Sequence, residues 1–316
     1  IINIKKQVRA WRGFGEAVYE YIRANVPEED ILTEEPMSRH TTFRIGGEAA
    51  CFIRISSEEQ LRKLIPYFEN VGVEYFVLGK GSNLLVGDKG YPGVILQISD
   101  ACQQIEAEEN RLQVQAGAAL SKVALFAMER GLEGLEFAAG IPGTVGGGVV
   151  MNAGAYGGEM KQVVESVRVL SSEGEILTLD NDTMEFGYRT SIIRNRNFTV
   201  LSVTFRLREG NREEIRARIE DFQKRRMEKQ PLNYPSAGST FKRPEGYFAG
   251  KLIMDAGLRG FQIGDARVSD KHCGFVVNVG KATARDVTDV IEEVQERVRE
   301  RFGVSLEREV IYLGEF

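Results

Sequence analysis

The chain has 316 residues, 42% of them hydrophobic and 28% charged, with a formal net charge of −5. That length suits two or three packed units of ordinary domain size, and the acidic balance argues against a surface built for nucleic acid. No apolar run approaches the roughly 18 residues of a membrane span, and the start IINIKKQVRAWRG does not read as a secretory leader, so a cytoplasmic protein is expected. The three cysteines, Cys51, Cys102 and Cys273, are odd in number and far apart, which fits reduced thiols better than a disulfide framework. The two histidines, His40 and His272, make no zinc-type spacing with them, so no metal is expected. A G-x-S-x-G elbow is also missing, which leaves a serine hydrolase without support.

In chain order, a first helix is expected over Arg12–Asn25, with Phe14, Ala17, Val18, Tyr21 and Ile22 at helical spacing. A strand over Ala50–Ile55 precedes a second helix that starts after Ser57, with Gln60 completing a capping-box pattern and Leu61, Leu64, Ile65 and Phe68 facing inward. Strands over Tyr75–Leu78 and Val94–Ile98 complete a mixed first unit, residues 1–102. Strands dominate residues 103–207: Leu112–Gln115, Val167–Leu170, Ile176–Leu179 and Thr199–Leu207, the second and third joined by the turn SSEGE. One helix, Leu120–Arg130, interrupts them. The remainder, residues 208–316, opens on the charged run NREEIRARIEDFQKRRMEKQ, where Ile215, Ile219 and Phe222 form an inward stripe. It closes on a helix capped by Thr283, with Val287, Val290, Ile291, Val294 and Val298 inward and Gly303 at its end.

Two glycine-rich loops carry the first functional signal. The stretch LEFAAGIPGTVGGGVVMNAGAYGGE, 135–159, mixes its glycines with Ile141, Val145, Val149, Val150 and Met151, so it is packed and not a flexible linker. Accessible N–H groups in such backbone make anion sites, for phosphate above all, although a purely structural Gly-rich turn remains the alternative. The second loop, Gly79-Lys80-Gly81-Ser82-Asn83, follows an apolar strand. It is not a P-loop, because Glu74 stands where the upstream glycine belongs and Gly81 follows Lys80. Nor is it a Rossmann fingerprint, because Leu84 replaces the third glycine. Both loops therefore point to a nucleotide-type cofactor in some other fold. Three further patches place reactive side chains in turn-rich context: FGYRTS at 186–191, SAGSTFKRP at 236–244 and LEREV at 306–310. Taken singly, each reads more readily as a surface arginine or a capping serine than as a site.

Together, the segments TTFRIGG, LGKGSNLL, LEFAAGIPGTVGGGVVMNAGAYGGE, FGYRTSII, SAGSTFKRP, GLRGFQIGDARVSDKHCGFVVN and LEREVIYLG resemble, in order and spacing, the UDP-N-acetylenolpyruvoylglucosamine reductase family. The resemblance covers the chain from about residue 30 onward. It implies an α+β protein with a two-lobed FAD-binding domain of the vanillyl-alcohol-oxidase type, lobes 1–102 and 103–207. A C-terminal αβ substrate-binding domain, 208–316, would follow, its last strand packing back on the first lobe. Non-covalent FAD is implied, with NADPH as co-substrate and a UDP-sugar, UDP-N-acetylglucosamine enolpyruvate, as the acceptor.

By the same resemblance, cofactor contacts fall on Gly79, Lys80, Gly81, Ser82, Asn83, Gly140, Pro142, Gly143, Thr144, Gly147, Gly148, Asn152 and Gly154. The catalytic arginine falls on Arg189, the serine proton donor on Ser239 and the glutamate on Glu309. Substrate contacts fall on Tyr156, Tyr188, Lys229, Arg243 and Gln262, and some relatives have Asn in place of Arg243. The short span between Arg189 and Ser239 matches the division of the family that lacks a tyrosine lid. Arg189 can stabilise charge that builds beside the substrate carboxylate, whereas Glu309 can do so only in a protonated or proton-sharing form. Ser239 needs positive charge nearby to release its proton, and Lys229 or Lys242 is expected to supply it. Two rivals remain at this stage. One is an FAD-linked oxidase of a hydroxyl substrate, with His40 or Cys51 as a tether; the other is a non-catalytic sensor that holds FAD or a nucleotide sugar.

Overall fold

The computed structural model describes residues 15–98 and 100–316. Its contacts divide the chain into two compact units, one through Thr33 with Cys51–Gly79 and Gly93–Arg226, the other Glu34–Ala50, Lys80–Pro92 and Met227–Phe316.

In the first unit the opening helix is Glu16–Asn25, with Val18 and Ile22 buried. Ala17, expected on that inward stripe, is exposed, and Arg12, Gly13 and Phe14 lie outside the described residues. Tyr21 is half-buried because its ring stacks on Tyr67 with centroids 3.7 Å apart. The helix Glu58–Val71 buries Leu61, Leu64, Ile65 and Phe68 as its spacing predicts, and Gly72 ends it at φ 70°. Half of the expected capping box forms. Ser57 Oγ accepts from Gln60 N at 3.4 Å, but Gln60 Oε1 accepts from Ser56 N at 2.8 Å instead of reaching Ser57. This helix covers a four-stranded sheet in the order Ile31–Pro36, Glu48–Ile55, Tyr91–Ile98, Tyr75–Leu78, whose last two strands run parallel. Ile53, Ile55, Leu64, Phe68, Val94 and Leu96 belong to the core between them.

A five-stranded sheet follows, in the order Ile176–Asp180, Val164–Leu170, Thr199–Arg206, Arg111–Gln115, Ile105–Glu108, antiparallel throughout. The turn in SSEGE closes the expected hairpin: Gly174 sits at φ 89°, and Ser171 Oγ accepts from the N–H groups of Glu173 and Glu175. Val114, Val167, Val203 and Phe205 form the centre of its core. The charged run folds as the helix Arg212–Lys229, and its Ile215 and Ile219 are buried in this same core.

The second unit is organised around the helix Ala284–Phe302, where Thr283 and Asp286 form a full capping box and Gly303 ends the helix at φ 67°. Val287, Val290, Ile291, Val294 and Val298 are buried against the helix Ala249–Asp255 and a three-stranded sheet, Gln262–Ile263, Ala266–Val268, Val276–Asn278. The chain's last strand, Ile311–Leu313, pairs in parallel with Leu84–Val86, directly after the Gly79–Asn83 loop. Among the described residues, no helix is long and apolar enough to cross a membrane.

Candidate functional site

Within the first unit Gly79 meets the long glycine segment. A Cβ added to Gly79 would stand 2.5 Å from Thr144 Oγ1, so only glycine permits this approach. Thr144 Oγ1 in turn accepts from Gly147 N at 3.3 Å and caps the short helix Val145–Val150, an element that the sequence reading does not contain. Gly143 holds φ 130°, and its carbonyl accepts from Leu120 N at 3.2 Å. Among the described residues, the N–H groups of Lys80, Gly81 and Gly143 donate to no backbone acceptor. Donors left over in glycine-rich backbone are what a pyrophosphate requires, and each loop by itself fits the cofactor group on that ground. Not every glycine serves that purpose. Gly148 is a packing residue, its Cβ position 3.1 Å from Met160 Cε and 3.3 Å from the Leu120 methyls.

The far end of the glycine segment is built on strained backbone. Asn152, Tyr156 and Arg189 hold left-handed φ values of 42°, 53° and 56°, a region that costs an L-residue about 1–2 kcal/mol. Asn152, 2% exposed, holds this region together. Its Oδ1 accepts from Lys161 N at 3.0 Å, while Nδ2 donates to Glu159 Oε2 at 3.2 Å and to Gly187 O at 3.0 Å. The last bond ties the segment to the turn that carries Arg189, closed by a bridge between Gly187 and Thr190. Ser191 Oγ donates to Val150 O at 3.0 Å and fixes the turn's other side. Arg189 is half-buried, and its Nη2 donates to Gly154 O at 3.4 Å. Tyr188 is 53% exposed, with the Arg189 guanidinium 5.2 Å from its ring centroid. Tyr156 stacks on Phe222 at 4.7 Å, so the third residue of the expected inward stripe packs on a ring.

Within the second unit, Ser239 and Glu309 are drawn together by main chain. Glu309 N donates to Thr240 O at 2.9 Å, Lys242 N donates to Glu307 O at 2.8 Å, and Phe241 forms an antiparallel bridge with Arg308 between them. Thr240 is fully buried; its N–H donates to Gly274 O at 2.8 Å, and its Oγ1 accepts from Val276 N at 2.9 Å. Gly238, at φ 76°, permits the bend that presents Ser239. Asn83 joins the same ladder: its Nδ2 donates to Glu309 O at 3.1 Å, and its carbonyl accepts from Ile311 N at 3.0 Å. The end of the Gly79–Asn83 loop and Glu309 are thus fastened to each other. Lys242 is engaged elsewhere than expected, its Nζ donating to Glu307 Oε2 at 3.0 Å. Arg243 lies 4.0 Å over the Phe248 ring and donates to Tyr247 O. Gln262 Nε2 donates to Gly264 O at 2.7 Å, and Lys229 is exposed at the end of its helix. Neither tether candidate looks reactive. Cys51 is fully buried, with its pKa pushed far up by burial, and His40 Nε2 contacts Glu35 Oε1 at 2.9 Å.

Two family models match the chain: an FAD binding domain over residues 49–180 and the C-terminal domain of UDP-N-acetylenolpyruvoylglucosamine reductase over residues 230–313. The reductase of that name from Clostridioides difficile is 49% identical over 288 residues, covering 91% of this chain and 95% of its own length. The one from Agathobacter rectalis is 50% identical, covering 93% of this chain and 98% of its own. The crystal structure of the reductase from Thermus caldophilus is similar at TM-score 0.77 and 35% identity, covering 90% of this chain and 98% of that one.

Proposed function

The chain belongs to the UDP-N-acetylenolpyruvoylglucosamine reductase family, and from that premise we propose that Arg189, Ser239 and Glu309 carry the reduction of the enolpyruvyl group to a lactyl ether. The protein is an FAD-dependent, NADPH-driven reductase that forms UDP-N-acetylmuramate, a peptidoglycan precursor, from UDP-N-acetylglucosamine enolpyruvate. FAD, when bound, supplies hydride taken from NADPH.

The chain's own residues do the rest. Hydride arriving at the terminal carbon leaves negative charge on the neighbouring carbon and its carboxylate. Arg189 stabilises that charge with a guanidinium that is always protonated. Ser239 donates the proton that completes the neighbouring carbon, and Glu309 holds the substrate carboxylate in a protonated or proton-sharing form. With Lys242 paired to Glu307, Lys229 is the cation proposed to ease proton loss from Ser239. Tyr156, Tyr188, Arg243 and Gln262 are proposed substrate contacts. The thirteen positions from Gly79 to Gly154 expected to hold the cofactor remain its proposed cradle, with Gly148 and Asn152 acting through packing and hydrogen bonding. We also propose three lobes, 1–102, 103–207 and 208–316, each holding most of one cluster of buried residues, with Ile215 and Ile219 joining the second lobe's cluster and Phe43, Ile45 and Leu85 the third's, and a cytoplasmic location, supported by three free thiols.

The observation that carries this reading is the ladder joining Ser239-Thr240 to Glu309, with Asn83 of the cofactor loop fastened to the same glutamate. Purified protein is expected to be yellow, to bleach anaerobically with NADPH and to recover colour on adding enolpyruvyl-UDP-GlcNAc. Acid precipitation should release the flavin into the supernatant. A bleached protein that the enolpyruvyl substrate cannot recolour would refute the reading, and colour held in the pellet would favour the tethered oxidase.

A further inference from the structure

The basic cluster at the end of the helix Arg212–Lys229 contains one residue unlike its neighbours. Arg225 forms an ion pair with Asp221 at 2.7 Å on the exposed side. Arg226 is half-buried, and among the described residues its Nε is a buried donor with no acceptor. A Cβ on Gly140 would stand 3.2 Å from Arg226 Nη1 and 3.3 Å from Cδ, so glycine at that position gives the guanidinium room against the loop. Burial pushes the Arg226 pKa down, and Tyr156 works in the opposite direction. Leaving a buried charged donor unsatisfied is costly, and that cost is offset when a negative group docks beside it.

The glycine segment has two ends, and Arg226 meets Gly140 near one and feels the charge of Tyr156 near the other. At the Thr144 end the segment closes on Gly79. At the other, Arg189 donates to Gly154 O and Tyr156 stacks on Phe222. Phe222 and Arg226 are four apart on one helix and so share a face, which sets the guanidinium toward Tyr156 as well as against Gly140. Hydride carries two electrons and one proton, so a flavin that accepts it gains one negative charge. We propose that Arg226 is the counter-charge of the bound flavin ring, stabilising the negative charge that the ring takes up from NADPH. This rests on the function proposed above.

The test uses the FAD-loaded protein, with Arg226→Met to remove the charge at similar length and Arg226→Lys to keep it. Sulfite, which adds to flavin and leaves negative charge on the ring, is the probe, beside spectroelectrochemical measurement of the two-electron midpoint potential. Arg226→Met should retain FAD yet bind sulfite about 30-fold more weakly, the range of a charged hydrogen bond. That factor corresponds to a midpoint potential lower by about 44 mV. Arg226→Lys should stay within about threefold of the parent, since the charge remains. Parent-like sulfite affinity and potential in Arg226→Met would overturn the proposal. So would loss of FAD with an unchanged potential in the fraction still loaded, which would place the guanidinium on the pyrophosphate. A Lys variant as impaired as Met would overturn it too. If Arg226→Met fails to fold, Gly140→Ala, which crowds the guanidinium, should weaken sulfite binding, and no change there would equally defeat the idea. A parent protein that binds no FAD would instead defeat the proposed function.

Discussion

The Arg189 turn and the Ser239 segment solve the same problem, holding one side chain still, by opposite means. Arg189 sits on left-handed backbone in a turn tied to its surroundings by the side chains of Asn152 and Ser191. Ser239 precedes a buried stretch whose position is set by main-chain hydrogen bonds to Glu307, Glu309 and Gly274. Side-chain clips are vulnerable to single substitutions. A main-chain ladder is not, because it survives the loss of almost any side chain beside it. The first region should therefore lose geometry when its clips are cut, while the second should lose only the chemistry of the residue removed.

The largest effect is expected at the ladder. Ser239→Ala should fold, bind FAD and be bleached by NADPH like the parent, yet be reoxidised by enolpyruvyl-UDP-GlcNAc about 10² to 10⁴ times more slowly, the usual cost of a lost general acid. Stopped-flow spectroscopy separates the two half-reactions, and reoxidation within about threefold of the parent would reduce Ser239 to a turn residue. Next comes Arg189→Lys, expected to slow reoxidation by about 10² to 10³ with bleaching unchanged, because a point charge does not replace a planar fork on a carboxylate. Equal rates for the Lys variant and the parent would make Arg189 a structural residue.

Asn152→Ala tests the clip itself. It strands the Lys161 N–H, leaves the Gly187 carbonyl with Thr190 N alone and puts alanine at a left-handed position, so denaturant unfolding should show a loss of about 3 kcal/mol. Reoxidation should slow by about tenfold as the Arg189 turn loosens. A destabilised protein with parental reoxidation would mean that Asn152 does not position Arg189. The smallest effect belongs to Glu307→Ala. Glu307 is 73% exposed in its side chain and pairs with Lys242, and its ladder bond uses the main chain. Stability should change by less than about 0.5 kcal/mol, and kcat should stay within about twofold. A larger loss would show that the ladder depends on its side chains after all.

Much of the scaffold was legible because it follows local rules. Periodicity marks the inward faces of the helices Glu58–Val71 and Ala284–Phe302, and Thr283 and Gly303 mark the ends of the second through capping and left-handed backbone. The N-terminal stripe was less reliable. Ala17 is exposed because a small residue at a helix edge gains little from burial, whereas Tyr21 finds a ring partner 46 positions away, at Tyr67. Phe222 read as core and became half of a stack with Tyr156, since periodicity gives a direction and not the partner met there.

What the sequence by itself determined is the set of elements, the positions where only glycine suits the backbone, and a motif order that identifies the family. The tertiary structure decided what each glycine makes room for, because Gly79 against Thr144 and Gly148 against Met160 differ only in what the fold brings to them. It also decided that Asn83 is engaged with Glu309, that Lys242 is engaged with Glu307, and that Arg226 has a buried donor that meets no acceptor among the described residues. None of these is a local property. Each depends on residues tens to hundreds of positions apart being held within a few ångströms, and hydrogen bonding and charge act only over such distances.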